Sequence, residues 1–186
     1  LSKRLFLAVD IDEATRVEIA RISASMREQI GTRARATWVK PDRMHLTLLF
    51  FESAGADLER RVCASVAESI PEPPFELSFE GLGFFPENGA PRVLWLGVRD
   101  GLAEIGRLHQ ILTGRDLGPA GRAGQRFMPH LTLARFRQRL SRGIVDLRGI
   151  SASAGPSRID RVTLYESRLS PTGPTYFRVA EAPLHP

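Results

Sequence analysis

The chain has 186 residues, 42% of them apolar and none in a low-complexity tract, which excludes a disordered or fibrous protein and leaves one domain of ordinary size. Apolar runs such as residues 5–9 and 46–51 are too short for a membrane span or a secretory leader, and the single cysteine, Cys63, excludes an internal disulfide. Only Lys3 and Lys40 of the 26 basic residues are lysines, so 24 arginines dominate a net charge of +5; such a surface suits a polyanionic partner. A monomer in a reducing cytoplasm, with no membrane attachment, is the expectation.

In chain order, residues 4–9 predict a strand and residues 13–30 a helix, with Ile19, Ile22, Met26 and Ile30 on one stripe and Asp12 as its N-cap. Residues 45–50 predict a strand. A second helix over 57–70 carries Leu58, Val62, Val66 and Ile70, takes Cys63 as a small core residue, and stops at Pro71. Residues 75–82 alternate as a strand, and the turn-rich stretch 86–91 reads as a hinge between two halves.

The order then recurs. Residues 92–98 predict a strand; residues 102–113 predict a helix with Leu102, Ile105, Leu108 and Leu112 inward and Asp100 as N-cap; residues 130–135 predict a strand like that at 45–50. Residues 158–168 and 176–182 add strands. The expected architecture is α+β, with mostly antiparallel sheets and outer helices. It forms a single domain of two pseudo-symmetric lobes, about 1–85 and 92–186 by the repeat and open to interleaving, around a central cleft.

The chemistry lies in a tetrapeptide that occurs twice, His45-Leu-Thr-Leu and His130-Leu-Thr-Leu. Side chains alternate along a strand, so His45 and Thr47 share one face while Leu46 and Leu48 share the other; His130 and Thr132 do the same. A pseudo-twofold relation aims both pairs into one cleft. One neutral imidazole removes a proton from water while a protonated one protonates a departing ribose oxygen, and the threonine hydroxyls hold the phosphate between them. Spacing alone does not say which histidine is acid and which is base.

Other chemistries fit poorly. The motifs lack carboxylates or cysteines at metal-ligand spacing and there is no helical His-Glu-x-x-His, so no metal and no cofactor are expected. Cys63 lies in a packed helix and no Gly-x-Ser-x-Gly elbow occurs. His109 and His185 read as structural or surface residues. Trp38, Phe84, Phe127 and Tyr165 are candidates for stacking a terminal base. Arg126, with Arg122, Arg137 and Arg139, flanks the second motif and is a candidate contact to backbone phosphates.

The segments Arg4-Leu-Phe-Leu-Ala-Val-Asp10, Trp38-Val-Lys-Pro41, Pro91-Arg-Val-Leu-Trp95, Pro129-His-Leu-Thr-Leu-Ala-Arg135 and Tyr165-Glu-Ser-Arg-Leu169 together resemble the two-histidine phosphoesterase superfamily. Within it the likeness is to the RNA 2′,3′-cyclic phosphodiesterases historically called 2′-5′ RNA ligases. The resemblance implies a bilobal fold and hydrolysis of RNA 2′,3′-cyclic phosphate ends, or of nucleoside 2′,3′-cyclic phosphates, to 2′-phosphomonoesters. It also implies His45 as proton donor, His130 as proton acceptor and Arg135 as a phosphate ligand. Strict alternation would put Arg135 opposite His130, so that role requires the strand to bend. Two departures remove positive charge: Leu49-Phe-Phe-Glu52 stands where many relatives have Lys-Phe-Leu-Gly, and Met128 precedes Pro129 where many have arginine. Ligation to a 2′-5′ linkage, or non-catalytic binding of RNA ends, are the alternative functions.

Overall fold

The computed structural model describes residues 2–115, 117, 126–137, 146–147, 149–170 and 173–186. The elements in chain order are β1 (Lys3–Asp10), α1 (Glu13–Ile30), β2 (Ala36–Trp38), β3 (His45–Ala54), α2 (Ala56–Ser65), β4 (Ile70–Pro71) and β5 (Phe75–Phe85). They continue as β6 (Val93–Val98), α3 (Leu102–Thr113), β7 (His130–Phe136), β8 (Ser153–Ile159), β9 (Arg161–Ser170) and β10 (Gly173–His185). Among the described residues the ten strands join in one sheet, ordered β4-β10-β9-β1-β3-β7-β6-β5-β8, with β2 also on β7. Every pairing is antiparallel except β10 with β4. The fold is α+β, and no helix of the described residues is long and apolar enough to cross a membrane.

Alternation explains which face of the sheet is dry. Leu5, Leu7 and Val9 of β1, Leu46 and Leu48 of β3, and Leu131 and Leu133 of β7 all enter one core with Ile19, Met26 and Ile30 of α1 and Ile105, Leu108 and Leu112 of α3. The helices cover this face only, leaving the other for the polar and aromatic residues between the leucines. Asp12 caps α1 by accepting a hydrogen bond from the Thr15 amide at 2.8 Å. Its own amide donates to Ser157 Oγ at 2.8 Å, which ties the start of α1 to β8. Cys63 is half-buried on α2, and burial pushes its thiol up.

Four expectations are corrected. The second helix ends at Ser65 rather than 70: Val66 already leaves the helix, and Ile70, extended before Pro71, is taken up fully buried as an edge strand beside Leu184. Asp100 is not a cap: Gly101, at φ +86 where a Cβ would lie 2.5 Å from the Glu76 carbonyl, begins α3. Asp100 instead accepts from Ser78 Oγ and Arg99 Nε.

Residues 86–91 are not a hinge between halves but the loop of the β5–β6 hairpin, closed by Phe85 opposite Val93. Residues 158–168 are not one strand, since β8 ends at Ile159 beside β5 and β9 starts at Arg161 beside β1. The sheet order therefore interleaves the chain: β5 sits with β6, while β9 and β10 return to β1.

Candidate active site

At the centre of the sheet β3 meets β7 with Leu46 opposite Leu131. Antiparallel register carries His45 opposite Thr132 and Thr47 opposite His130, so the two motifs are related about the leucine pair. Both leucines are fully buried, whereas the histidines and threonines are half-buried on the other face. One antiparallel contact thus brings together the four residues singled out from sequence.

A bulge in each strand sets the direction of the side chains beyond the threonines. Pairing with β1 jumps from Thr47–Ala8 to Leu49–Leu7, and pairing with β6 jumps from Thr132–Trp95 to Ala134–Leu94. Each jump inserts one residue, so two consecutive side chains are buried, Leu48 and Leu49 in β3 and Leu133 and Ala134 in β7. The alternation is reset, and Arg135 and Phe50 come round to the face of their histidines. The bend that Arg135 required is therefore present. Its positive charge acts on both imidazoles, lowering the proton affinity of each.

The two rings are held alike. His45 Nδ1 lies 2.8 Å from the Arg43 carbonyl and His130 Nδ1 lies 2.7 Å from the Met128 carbonyl, in both cases two residues upstream. A carbonyl only accepts, so Nδ1 carries the proton and Nε2 is left for proton transfer. Burial is the main influence on both and lowers both; for His45 it brings the pKa to about 4 against the opposing pull of the Arg43 carbonyl and the Asp10 carboxylate.

Aromatic rings supply that burial. Phe6 stacks on His45 at 4.8 Å and Tyr176 meets it edge-on at 5.3 Å, while Phe85 meets His130 edge-on at 4.9 Å with Trp95 at 6.5 Å. The Trp95 indole lies against Gly83, where a Cβ would come within 2.1 Å of the ring.

Beside His45 a cavity of about 390 Å³ is lined by Asp10, Arg16, Arg43, Tyr165, Tyr176 and Arg178, among others. Asp10 is its hub, accepting from Tyr165 Oη at 2.8 Å and Thr163 Oγ1 at 2.9 Å, with Arg178 at 3.6 Å. Burial and this carboxylate push the Tyr165 hydroxyl up to about 12, so it remains a neutral donor.

The other candidates divide. Tyr165 stands 6.2 Å from the His45 ring and lines the same cavity. Trp38, Phe84 and Phe127 pack against the core: Phe84 pairs with Phe136, and Phe127 stacks on His109 at 3.9 Å. Arg126 is exposed four residues before His130, and Arg137 donates to Thr37 Oγ1 at 3.2 Å. Arg122 and Arg139 lie outside the described residues. Sequence reading missed Phe6, Phe85, Trp95 and Tyr176; Phe85 was one alternation step from Phe84, and Phe6 was hidden in the uninterrupted apolar run 5–9. Among the described residues no three histidine, cysteine, aspartate or glutamate side chains gather as metal ligands.

Relatives match this chain over nearly its whole length. A protein of Archaeoglobus fulgidus named RNA 2′,3′-cyclic phosphodiesterase is 33% identical over 93% of this chain and 96% of its own, and one of the same name from Methanothermobacter thermautotrophicus is 33% identical over 93% and 94%. Escherichia coli LigT complexed with 3′-AMP superposes with a TM-score of 0.75 at 25% identity, covering 99% of both chains. The family model of the 2′-5′ RNA ligase superfamily matches residues 11–168, and the chain belongs to that superfamily.

Proposed function

We propose that this chain hydrolyses RNA 2′,3′-cyclic phosphate ends to 2′-phosphomonoesters, with His45 as proton donor, His130 as proton acceptor, and Thr47, Thr132 and Arg135 holding the phosphate. The observation that carries the reading is the pair of imidazoles with Nδ1 locked on the carbonyl two residues upstream, Nε2 free, and one guanidinium acting on both. Water activated by His130 attacks phosphorus in line with the 3′ oxygen, the P–O3′ bond breaks, and His45 gives its proton to that oxygen. The product retains the 2′ ester. Each histidine ends with the charge the other began with, and exchange with solvent restores them.

In the free chain burial makes His45 the harder ring to protonate. A bound phosphate anion offsets this twice, by attracting the imidazolium and by pairing with Arg135, whose charge otherwise opposes protonation. The donor is thereby formed where the substrate is. A 5′-hydroxyl in place of water gives the reverse, a 2′-5′ linkage, as microscopic reversibility requires.

The test is incubation with a nucleoside 2′,3′-cyclic phosphate and with an RNA carrying that end, resolving 2′- from 3′-phosphates. The 2′ isomer is expected from both, with a loss of roughly 10²–10⁴-fold in His45→Ala and in His130→Ala. Turnover of neither substrate, or full turnover in either variant, overturns the reading.

A further inference from the structure

On the cleft face of the sheet, Arg4 begins a row that runs through Phe50 and Phe6 to His45. Its guanidinium lies 5.2 Å from the centroid of Phe50, and Phe6 is 6.5 Å from Phe50 and 4.8 Å from His45. Arg4 Nε is buried without a hydrogen-bond partner. Buried donors are rarely left unmatched, and a guanidinium carries five of them in a fork that suits phosphate oxygens. The ring beneath it holds the plane but takes none of the N–H groups.

Other arginines beside His45 have terminal nitrogens engaged, although Arg16 Nε, like that of Arg4, is buried without a partner. Arg16 is held by Glu13 and the Ile11 carbonyl, Arg43 by the Pro174 carbonyl, and Arg178 by Glu181 and Asp10. Arg4 differs also from Arg135. Arg135 bears on both histidines, whereas the rings of Phe50 and Phe6 stand between the Arg4 guanidinium and His45. Arg4 is therefore in the cleft but a step removed from the reacting atoms.

The direction of that step is the direction of the substrate chain. Under the proposed reaction His45 protonates the ribose oxygen, so the sugar and the RNA leading to it lie on the His45 side of phosphorus, and water enters on the His130 side. We propose that Arg4 is the subsite for the internucleotide phosphodiester immediately 5′ of the cyclic end, which makes the cleft select an RNA terminus over a mononucleotide. The inference rests on the proposed hydrolysis for its direction. Phe50 occupies in β3 the position that Arg135 holds in β7, so Arg4, seated on that ring, supplies the cation on this part of the sheet face.

The experiment compares a dinucleotide bearing a terminal 2′,3′-cyclic phosphate with the mononucleoside 2′,3′-cyclic phosphate. In Arg4→Gln the ratio of kcat/KM for the dinucleotide to that for the mononucleotide is expected to fall roughly tenfold, mostly through KM, and Arg4→Lys to recover part of it. An unchanged ratio, or an equal fall for both substrates, overturns the proposal. Calorimetric binding of the dinucleotide and mononucleotide 2′-phosphates to wild type and Arg4→Gln, across a salt series, reads the same contact without turnover. There the dinucleotide alone is expected to lose affinity and salt dependence. Failure of wild-type turnover would count against the hydrolase, while the binding arm alone decides Arg4; a variant unable to bind either 2′-phosphate is replaced by Arg4→Met, for which the same ratio applies.

Discussion

Leu46 and Leu131 face each other across the junction of β3 and β7, and the two His-x-Thr motifs are disposed about that pair. Two strands crossing at one point put each histidine across from the other motif's threonine. The arrangement is symmetric in His and Thr and asymmetric one turn of the pleat later, where bulges present Phe50 on one side and Arg135 on the other.

The pH profile should lie to the acid side. Because kcat/KM reports the free enzyme, and burial lowers both imidazoles, one limb is expected near pH 4 and the other below the ordinary histidine value of about 6.5. Bound phosphate favours the charged rings, so both limbs of kcat move upward. Asp10→Asn removes a charge that supports protonated His45 and should push the lower limb of kcat/KM further down. Steady-state kinetics from about pH 3.5 to 8 on the cyclic nucleotide would read this, and an Asp10→Asn limb that rises contradicts it.

Arg135→Gln should act on binding and on titration together. Losing a charge-assisted contact to phosphate costs about 1.5–3 kcal/mol, or roughly ten- to hundredfold in KM. With its charge gone both histidines hold protons more firmly, and both kcat/KM limbs shift to higher pH. A KM effect without any movement of the limbs would place Arg135 away from the imidazoles.

Gly83→Ala is expected to destabilise the fold by about 1–3 kcal/mol, since the new methyl must displace the indole of Trp95. Trp95 neighbours His130, so turnover falls as well. Tryptophan fluorescence in a Trp38→Phe background isolates Trp95, and an unshifted spectrum would count against the contact.

Asp12→Ala and Asp100→Ala should separate in urea denaturation. The first removes the cap of α1 and is expected to cost about 0.5–2 kcal/mol; the second leaves α3 without any lost cap and affects only the Ser78 and Arg99 contacts. Loss of α3 helicity by circular dichroism in Asp100→Ala would reverse that assignment.

By itself the sequence determined the repeated strand, helix and His-x-Thr strand, the bounds of α1 and α3, and the shared face of His45 with Thr47 and of His130 with Thr132, because these come from periodicity and, for α1, from the Asp12 cap, all carried within a few residues. It named Tyr165, which stands beside His45. Only the tertiary structure decided the rest. The end of α2 depended on Ile70 finding Leu184 of the last strand, and the interleaving of β5, β9 and β10 depended on pairings between residues far apart in the chain. The face of Arg135 turned on a bulge, which is a mismatch between two strands and has no signature in either one. The same holds for Phe6, Phe85, Trp95 and Tyr176: apolar composition says that such rings are buried, and cross-strand register alone says that they are buried against a histidine.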